Sequence, residues 1–154
     1  MQSFSKPYDA GKNYNITIKG SGITYFAADN MKLKSISVSG LTELEYLSCN
    51  TDELTSLNVS GLTTLEYLDC SGNQLTTLNV SGLTALTLLG CAGNKFATAA
   101  LDAIFAALPD LSGVGSNGKI TVGENPATTG WIYNGSDPGV SVMTAKGWDV
   151  TEYL

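Results

Sequence analysis

The chain has 154 residues, no histidine, and a formal charge of −6 from 8 basic and 14 acidic side chains. All 8 basic residues are lysine, which excludes imidazole-activated nucleophiles, His-ligated zinc or iron, and arginine clamps on phosphate or guanine. A chain of this size makes one domain, and its acidity repels a nucleic-acid backbone, so no nucleic-acid partner is expected.

The first stretch, Met1-Gln-Ser-Phe-Ser-Lys-Pro-Tyr8, lacks the apolar run of a leader peptide. No segment holds the roughly 20 apolar residues that cross a bilayer, so no direct membrane insertion is expected. Residues 1–29 are expected to form an N-terminal cap and a degenerate first coil. Asn15 to Ile18 alternates as a strand does, and Ile23, Tyr25, Phe26 and Ala28 sit 21 residues ahead of Leu44, Tyr46, Leu47 and Cys49.

Residues 30–96 carry three tandem units with a period of 21 residues. The period is visible in Cys49, Cys70 and Cys91, and again in Leu47, Leu68 and Leu89 and in the Ser-Gly-Leu triplets at Ser39, Ser60 and Ser81. In Leu44-Glu-Tyr-Leu-Ser-Cys49, alternation sends Leu47 and Cys49 to one face and Tyr46 and Ser48 to the other. One such strand cannot bury its apolar side alone, whereas stacked coils merge their inward residues into a continuous core. The second apolar half, Leu54, Leu57 and Val59 with their equivalents, is expected to line the opposite wall in extended or 3₁₀ form, since 21 residues per coil leave little room for an α-helix.

Residues 97–154 break the period. Leu101, Ile104, Phe105 and Leu108 have helical spacing, predicting a helix that follows a Thr98 N-cap and stops before Pro109. Ile120-Thr-Val122-Gly-Glu-Asn125 repeats the offsets of Leu89-Gly-Cys91-Ala-Gly-Asn94, predicting a further ladder strand. Asp137-Pro138 predicts the start of a second short helix ending at Lys146-Gly147, and Trp148 and Val150 offer a last strand as the C-terminal cap.

The units L-x-x-L-x-V-S-G-L-T-x-L-x-x-L-x-C-x-x-[DN]-x resemble the leucine-rich repeat family. They are most similar to its short bacterial cysteine-ladder, internalin-like variant and to the surface leucine-rich repeat proteins of Bacteroidetes. The resemblance implies an α/β solenoid, a right-handed coil of about six turns with a parallel β-ladder on its concave face and short helices in the C-terminal turns. It also implies a structural ladder of Cys49, Cys70 and Cys91, and a second of Asp52, Asn73 and Asn94, whose side chains satisfy backbone groups where each coil turns.

In this family ligands usually meet the outward side of the strands. Alternation places Tyr25, Tyr46, Tyr67 and Leu88 in one row and Ala27, Ser48, Asp69 and Gly90 in the next, with Glu45 and Glu66 beside them. Three Tyr in register suit sugar rings or an apolar or basic peptide, although tandem duplication also copies residues without function and Tyr favours strands in any case. The cysteines lack C-x-x-C spacing, and as stacked inward residues they are expected to be buried free thiols rather than metal ligands, with a labile disulfide as the alternative. Cys70→Ser is expected to cost about 1–3 kcal/mol because the hydroxyl finds no partner.

Asn15-Ile-Thr, Asn58-Val-Ser, Asn79-Val-Ser and Asn134-Gly-Ser match the glycosylation pattern, but the two at Asn58 and Asn79 are the repeat consensus, where Ser begins a turn, and glycosylation is not expected in a bacterial setting; the oxygen-rich Asn134–Gly139 segment lacks the spacing of a calcium loop and suits turn chemistry better. Glu66 and Asp69 offer carboxylates, but a small open solenoid provides no cleft to shift their acidities. The expectation is a non-catalytic protein- or glycan-binding module, without cofactor or metal, from a bacterial cell-surface or secreted protein. The alternative is a spacer or stalk with no ligand of its own.

Overall fold

The alternating triplets become short strands in the computed structural model, which describes residues 14–115, 117–126 and 139–151. In chain order the elements are β1 (Tyr14–Thr17), β2 (Tyr25–Ala27), β3 (Leu33–Ser37), β4 (Tyr46–Ser48), β5 (Tyr67–Asp69), β6 (Leu88–Gly90), α1 (Thr98–Ala107), β7 (Gly118–Thr121), α2 (Val140–Ala145) and β8 (Trp148–Thr151). Six of them make one parallel sheet in the order β2-β4-β5-β6-β7-β8, while β1 pairs with β3 in a separate two-stranded parallel sheet. Each strand therefore lies beside the strand of the next coil, the arrangement of a solenoid.

Register follows the period. Tyr25, Tyr46, Tyr67, Leu88, Lys119 and Asp149 are successive partners, as are Ala27, Ser48, Asp69, Gly90, Thr121 and Thr151. Inward residues of every coil, among them Leu47, Cys49, Leu68, Cys70, Leu89, Cys91, Ile120 and Val122, are buried in one continuous core. The predicted strand at Asn15–Ile18 is present as β1. It extends the other half of the first unit, pairing with β3 and not with the main sheet.

The wall opposite the main sheet turns by short steps in the regular units. Leu62 N–H donates to Val59 O and Leu65 N–H to Leu62 O, and the same i to i−3 bonds recur at Leu41 and Leu44 and at Leu83 and Leu86. These are single 3₁₀-type turns, as the short coil length requires. The glycine of each Ser-Gly-Leu triplet, Gly40, Gly61 and Gly82, has φ of 86°, 81° and 81°, a left-handed conformation that L side chains rarely adopt.

The C-terminal coils differ from expectation in two details. Helix α1 is capped by Ala97, whose carbonyl accepts from the Ala100 and Leu101 amides, so Thr98 is already the first helical residue and makes no side-chain cap. Helix α2 begins at Val140 after Gly139 in left-handed conformation; Asp137, Pro138 and the Asn134 turn lie outside the described residues. The Lys146 ammonium holds the free end of α1 by donating to Ala106 O at 2.7 Å, Leu108 O at 2.9 Å and Phe105 O at 3.3 Å. Cations are favoured at a helix C-terminus, so this contact ties the two C-terminal turns together. Trp148, buried at the end of the core, donates its indole N–H to Pro109 O.

A second left-handed position recurs just before each ladder Asn or Asp. It is occupied by Thr51, Gly72, Gly93 and Glu124, with φ of 57°, 66°, 62° and 59°, and Asn30, with φ of 55°, holds the equivalent place before Met31. Thr51 is the costly one, because a β-branched side chain is disfavoured there. Thr51→Gly is expected to stabilise the fold by about 0.5–1 kcal/mol, the strain relieved less the added chain entropy. Urea unfolding followed by circular dichroism measures this; a loss of stability would show that Thr51 carries no strain.

Candidate functional site

The outward row of tyrosines is a stack. Tyr25 and Tyr46 have ring centroids 4.3 Å apart and planes at 11°, and Tyr46 and Tyr67 are 4.2 Å apart at 12°. Strand spacing forces this, since equivalent side chains on neighbouring parallel strands sit one backbone step apart. Both faces of Tyr46 are therefore covered by its neighbours, and Tyr25, at 55% exposure, is the most open of the three. Partial burial pushes all three phenols above their usual range, so they remain neutral hydrogen-bonding groups near pH 7. Leu88 continues the row, half-buried, and Glu45 and Glu66, both exposed, flank it.

The next row behaves differently from the expectation of an open surface. Ser48 and Asp69 are only 2% and 9% exposed. Ser48 Oγ donates to Asp29 Oδ1, which also accepts from the Asn50 amide at 3.0 Å. Asn50 Nδ2 donates to Ser48 Oγ at 3.2 Å and to Asp69 Oδ2 at 3.1 Å, and Asp69 Oδ1 accepts from Ser71 N–H at 3.0 Å. This network braces coils together beneath the tyrosine edge. Asp29 was the residue missed in the sequence, although it lies 21 positions before Asn50 and was open to the same register argument. Asp69 uses both carboxylate oxygens in these bonds, so Glu66 and Asp69 do not present two free carboxylates. Among the described residues no group of His, Cys, Asp or Glu is placed to hold a metal ion.

Below the strands runs a ladder of side-chain amides. Asn73 Oδ1 accepts from Leu54 N–H at 2.9 Å, and its Nδ2 donates to Cys49 O, Cys70 O and Ser71 O at 2.8, 3.0 and 3.2 Å. Asn94 repeats this, accepting from Leu75 N–H and donating to Cys70 O, Cys91 O and Ala92 O. Asn125 does so again with Phe96 N–H and with Cys91 O, Val122 O and Gly123 O. Each amide thus bonds its own coil and the one before it. Asp52 occupies the first position, with Oδ1 accepting from Met31 N–H at 2.8 Å and Leu33 N–H at 3.1 Å.

The three cysteines are free and buried at one core position of three adjacent coils. A solved structure described as the functional domain of InlJ from Listeria monocytogenes, which includes a cysteine ladder, is similar to this chain, with 35% sequence identity and a TM-score of 0.53. The match covers 66% of this chain and 21% of that chain, so this chain spans about a fifth of its neighbour's length. The fold is that of a cysteine-ladder leucine-rich repeat, similar to this internalin domain. No protein-family model and no curated protein matches it.

The cysteine ladder is held by more than packing. Cys70 Sγ–H donates to Gly90 O at 3.3 Å and Cys91 Sγ–H to Thr121 O at 3.1 Å. A serine at 70 would therefore find a carbonyl acceptor, contrary to the expectation from sequence. Burial pushes the Cys91 thiol up to about 12 and raises Cys49 and Cys70 above their usual range as well. Since the thiolate is the reactive species, these groups are inert while the fold is closed. Thiol labelling at pH 8 is expected to proceed at the rate of unfolding, and rapid labelling of the native protein would contradict the ladder. Cys70→Ser is expected to cost about 1 kcal/mol in urea unfolding, the low end of a buried polar exchange because a partner is present.

Proposed function

We propose that this leucine-rich repeat is a non-catalytic recognition module of a bacterial cell-surface or secreted protein, and that it holds a protein partner against the tyrosine edge of its main sheet. The observation that carries the reading is the mutual stacking of Tyr25, Tyr46 and Tyr67. Ring faces spent on one another are not available to sandwich a sugar, so the row offers hydroxyl edges and a firm apolar shelf instead. Glu45 and Glu66 beside it add negative charge, which suits a protein segment bearing Lys or Arg. Rigid aromatic residues lose little entropy on binding and are enriched at protein interfaces. The neighbour's description as a functional domain supports the reading, while what that protein does as a whole is not carried across to a chain matching a fifth of it.

Affinity capture with the parent and with two variants, Tyr46→Ala/Tyr67→Ala and Glu45→Gln/Glu66→Gln, tests the proposal. The tyrosine pair is expected to weaken capture of the partner on the order of tenfold or more. The glutamate pair is expected to reduce the salt dependence of association. Equal capture by the parent and the tyrosine variant, with both folded, would favour the spacer reading.

A further inference from the structure

We infer that Asp52 completes the first rung of the amide ladder as a neutral carboxylic acid, and that its ionisation loosens the coil bearing Tyr25 from the rest of the solenoid. The geometry rests on equivalence between coils. Asp52 Oδ1 accepts from Leu33 N–H, 19 residues earlier, as Asn73 Oδ1 accepts from Leu54 N–H and Asn94 Oδ1 from Leu75 N–H at the same separation. The other oxygen, Oδ2, therefore stands where Asn73 and Asn94 present an Nδ2 donor. At those rungs the donor meets carbonyls 24, 3 and 2 residues earlier, which for Asp52 are Ala28 O, Cys49 O and Asn50 O.

A carboxylate there opposes acceptor to acceptor. Asp52 is 6% exposed, and its Oδ2 is buried without a hydrogen-bond partner. One proton on Oδ2 converts that oxygen to a donor and restores the rung. The groups around it agree. Asp29, on the turn after β2, disfavours a second negative charge, the buried Cys49 thiol on the strand side is uncharged, and Lys32, exposed, reaches the carboxyl only through its backbone amide. The next rung, Asn73, is uncharged. Burial, the largest influence, pushes the Asp52 carboxyl above the usual range, and the amides of Leu33 and Met31 offset it only in part.

The consequence follows from linkage. A carboxyl whose pKa is raised in the folded state weakens the fold when ionised, so stability is regained as pH falls through its folded value towards about 4, the ordinary aspartate value. The segment affected is the one Asp52 grips, Met31 to Leu33, which joins the β2 coil to β3. Because Tyr25 lies on β2 and stacks on Tyr46, the outward face is linked to the same proton.

The test uses the intact chain and Asp52→Asn. Carbon-13 NMR of the carboxyl groups is expected to show Asp52 titrating above the ordinary aspartate range. Asp52→Asn is expected to melt higher than the parent at pH 7, with the difference closing as pH falls towards about 4. Exchange of the Met31 and Leu33 amides, corrected for intrinsic rates, is expected to be on the order of tenfold slower in the variant at pH 7 and equal in the two proteins at low pH. Asp52 titrating at or below the ordinary value, or a variant melting lower than the parent at neutral pH, would overturn the inference; the NMR arm needs no variant to fold.

Discussion

Three successive coils are each fastened to the one before by a buried side-chain amide. Asn73, Asn94 and Asn125 each accept one backbone N–H and donate to three carbonyls drawn from two coils. Where the chain turns out of a strand, its backbone groups lose their ladder partners, and buried polar groups without partners are costly. The amide settles that account for two coils at once, and the constant spacing of the strands follows from it. The C-terminal coil is longer, yet Asn125 enters the same arrangement, so the inserted helix α1 leaves the register of the sheet intact.

That fixed spacing governs the outward face as firmly as the core. Side chains repeated at one strand position are brought to stacking distance whether or not a ligand is present, and three tyrosines in such a row must stack on each other. The row behind them is too crowded to remain open, and it closes into the network of Asp29, Ser48, Asn50 and Asp69. The surface left for a partner is consequently narrow and stiff, an edge of phenols with carboxylates beside it. Stiffness favours recognition, since little freedom remains to be lost on binding.

The same constraint gives the cysteines their character. A position that packs against its own copy in the next coil must be small, apolar and tolerant of a carbonyl nearby, and a thiol meets all three conditions. Cys70 and Cys91 each place Sγ–H on a carbonyl of the following coil, so the ladder combines packing with weak directional bonds. Asp52 is the rung where a repeated position carries a different chemistry. Its substitution for Asn trades a permanent donor for one that depends on a proton.

The repeat makes most of the fold legible in the sequence alone. Period and alternation together determine which residues face inward, which strands become neighbours and which outward residues fall in line, because equivalent residues of a solenoid occupy equivalent places. The helix-bearing coils were legible too, through the offset that Asn125 shares with Asn94. What the sequence did not show depended on neighbours in space. The left-handed turn before each ladder residue is carried by Thr51 and Glu124 as well as by glycine, so its signature is absent from the letters. Ser48 and Asp69 have outward parity but are buried, because burial depends on what Asp29 and Asn50 lay across them. Stacking of the tyrosine rings and the orphaned oxygen of Asp52 are likewise facts about adjacent coils. Sequence specified which residues would meet, while only tertiary structure decided how their faces and hydrogen bonds were spent.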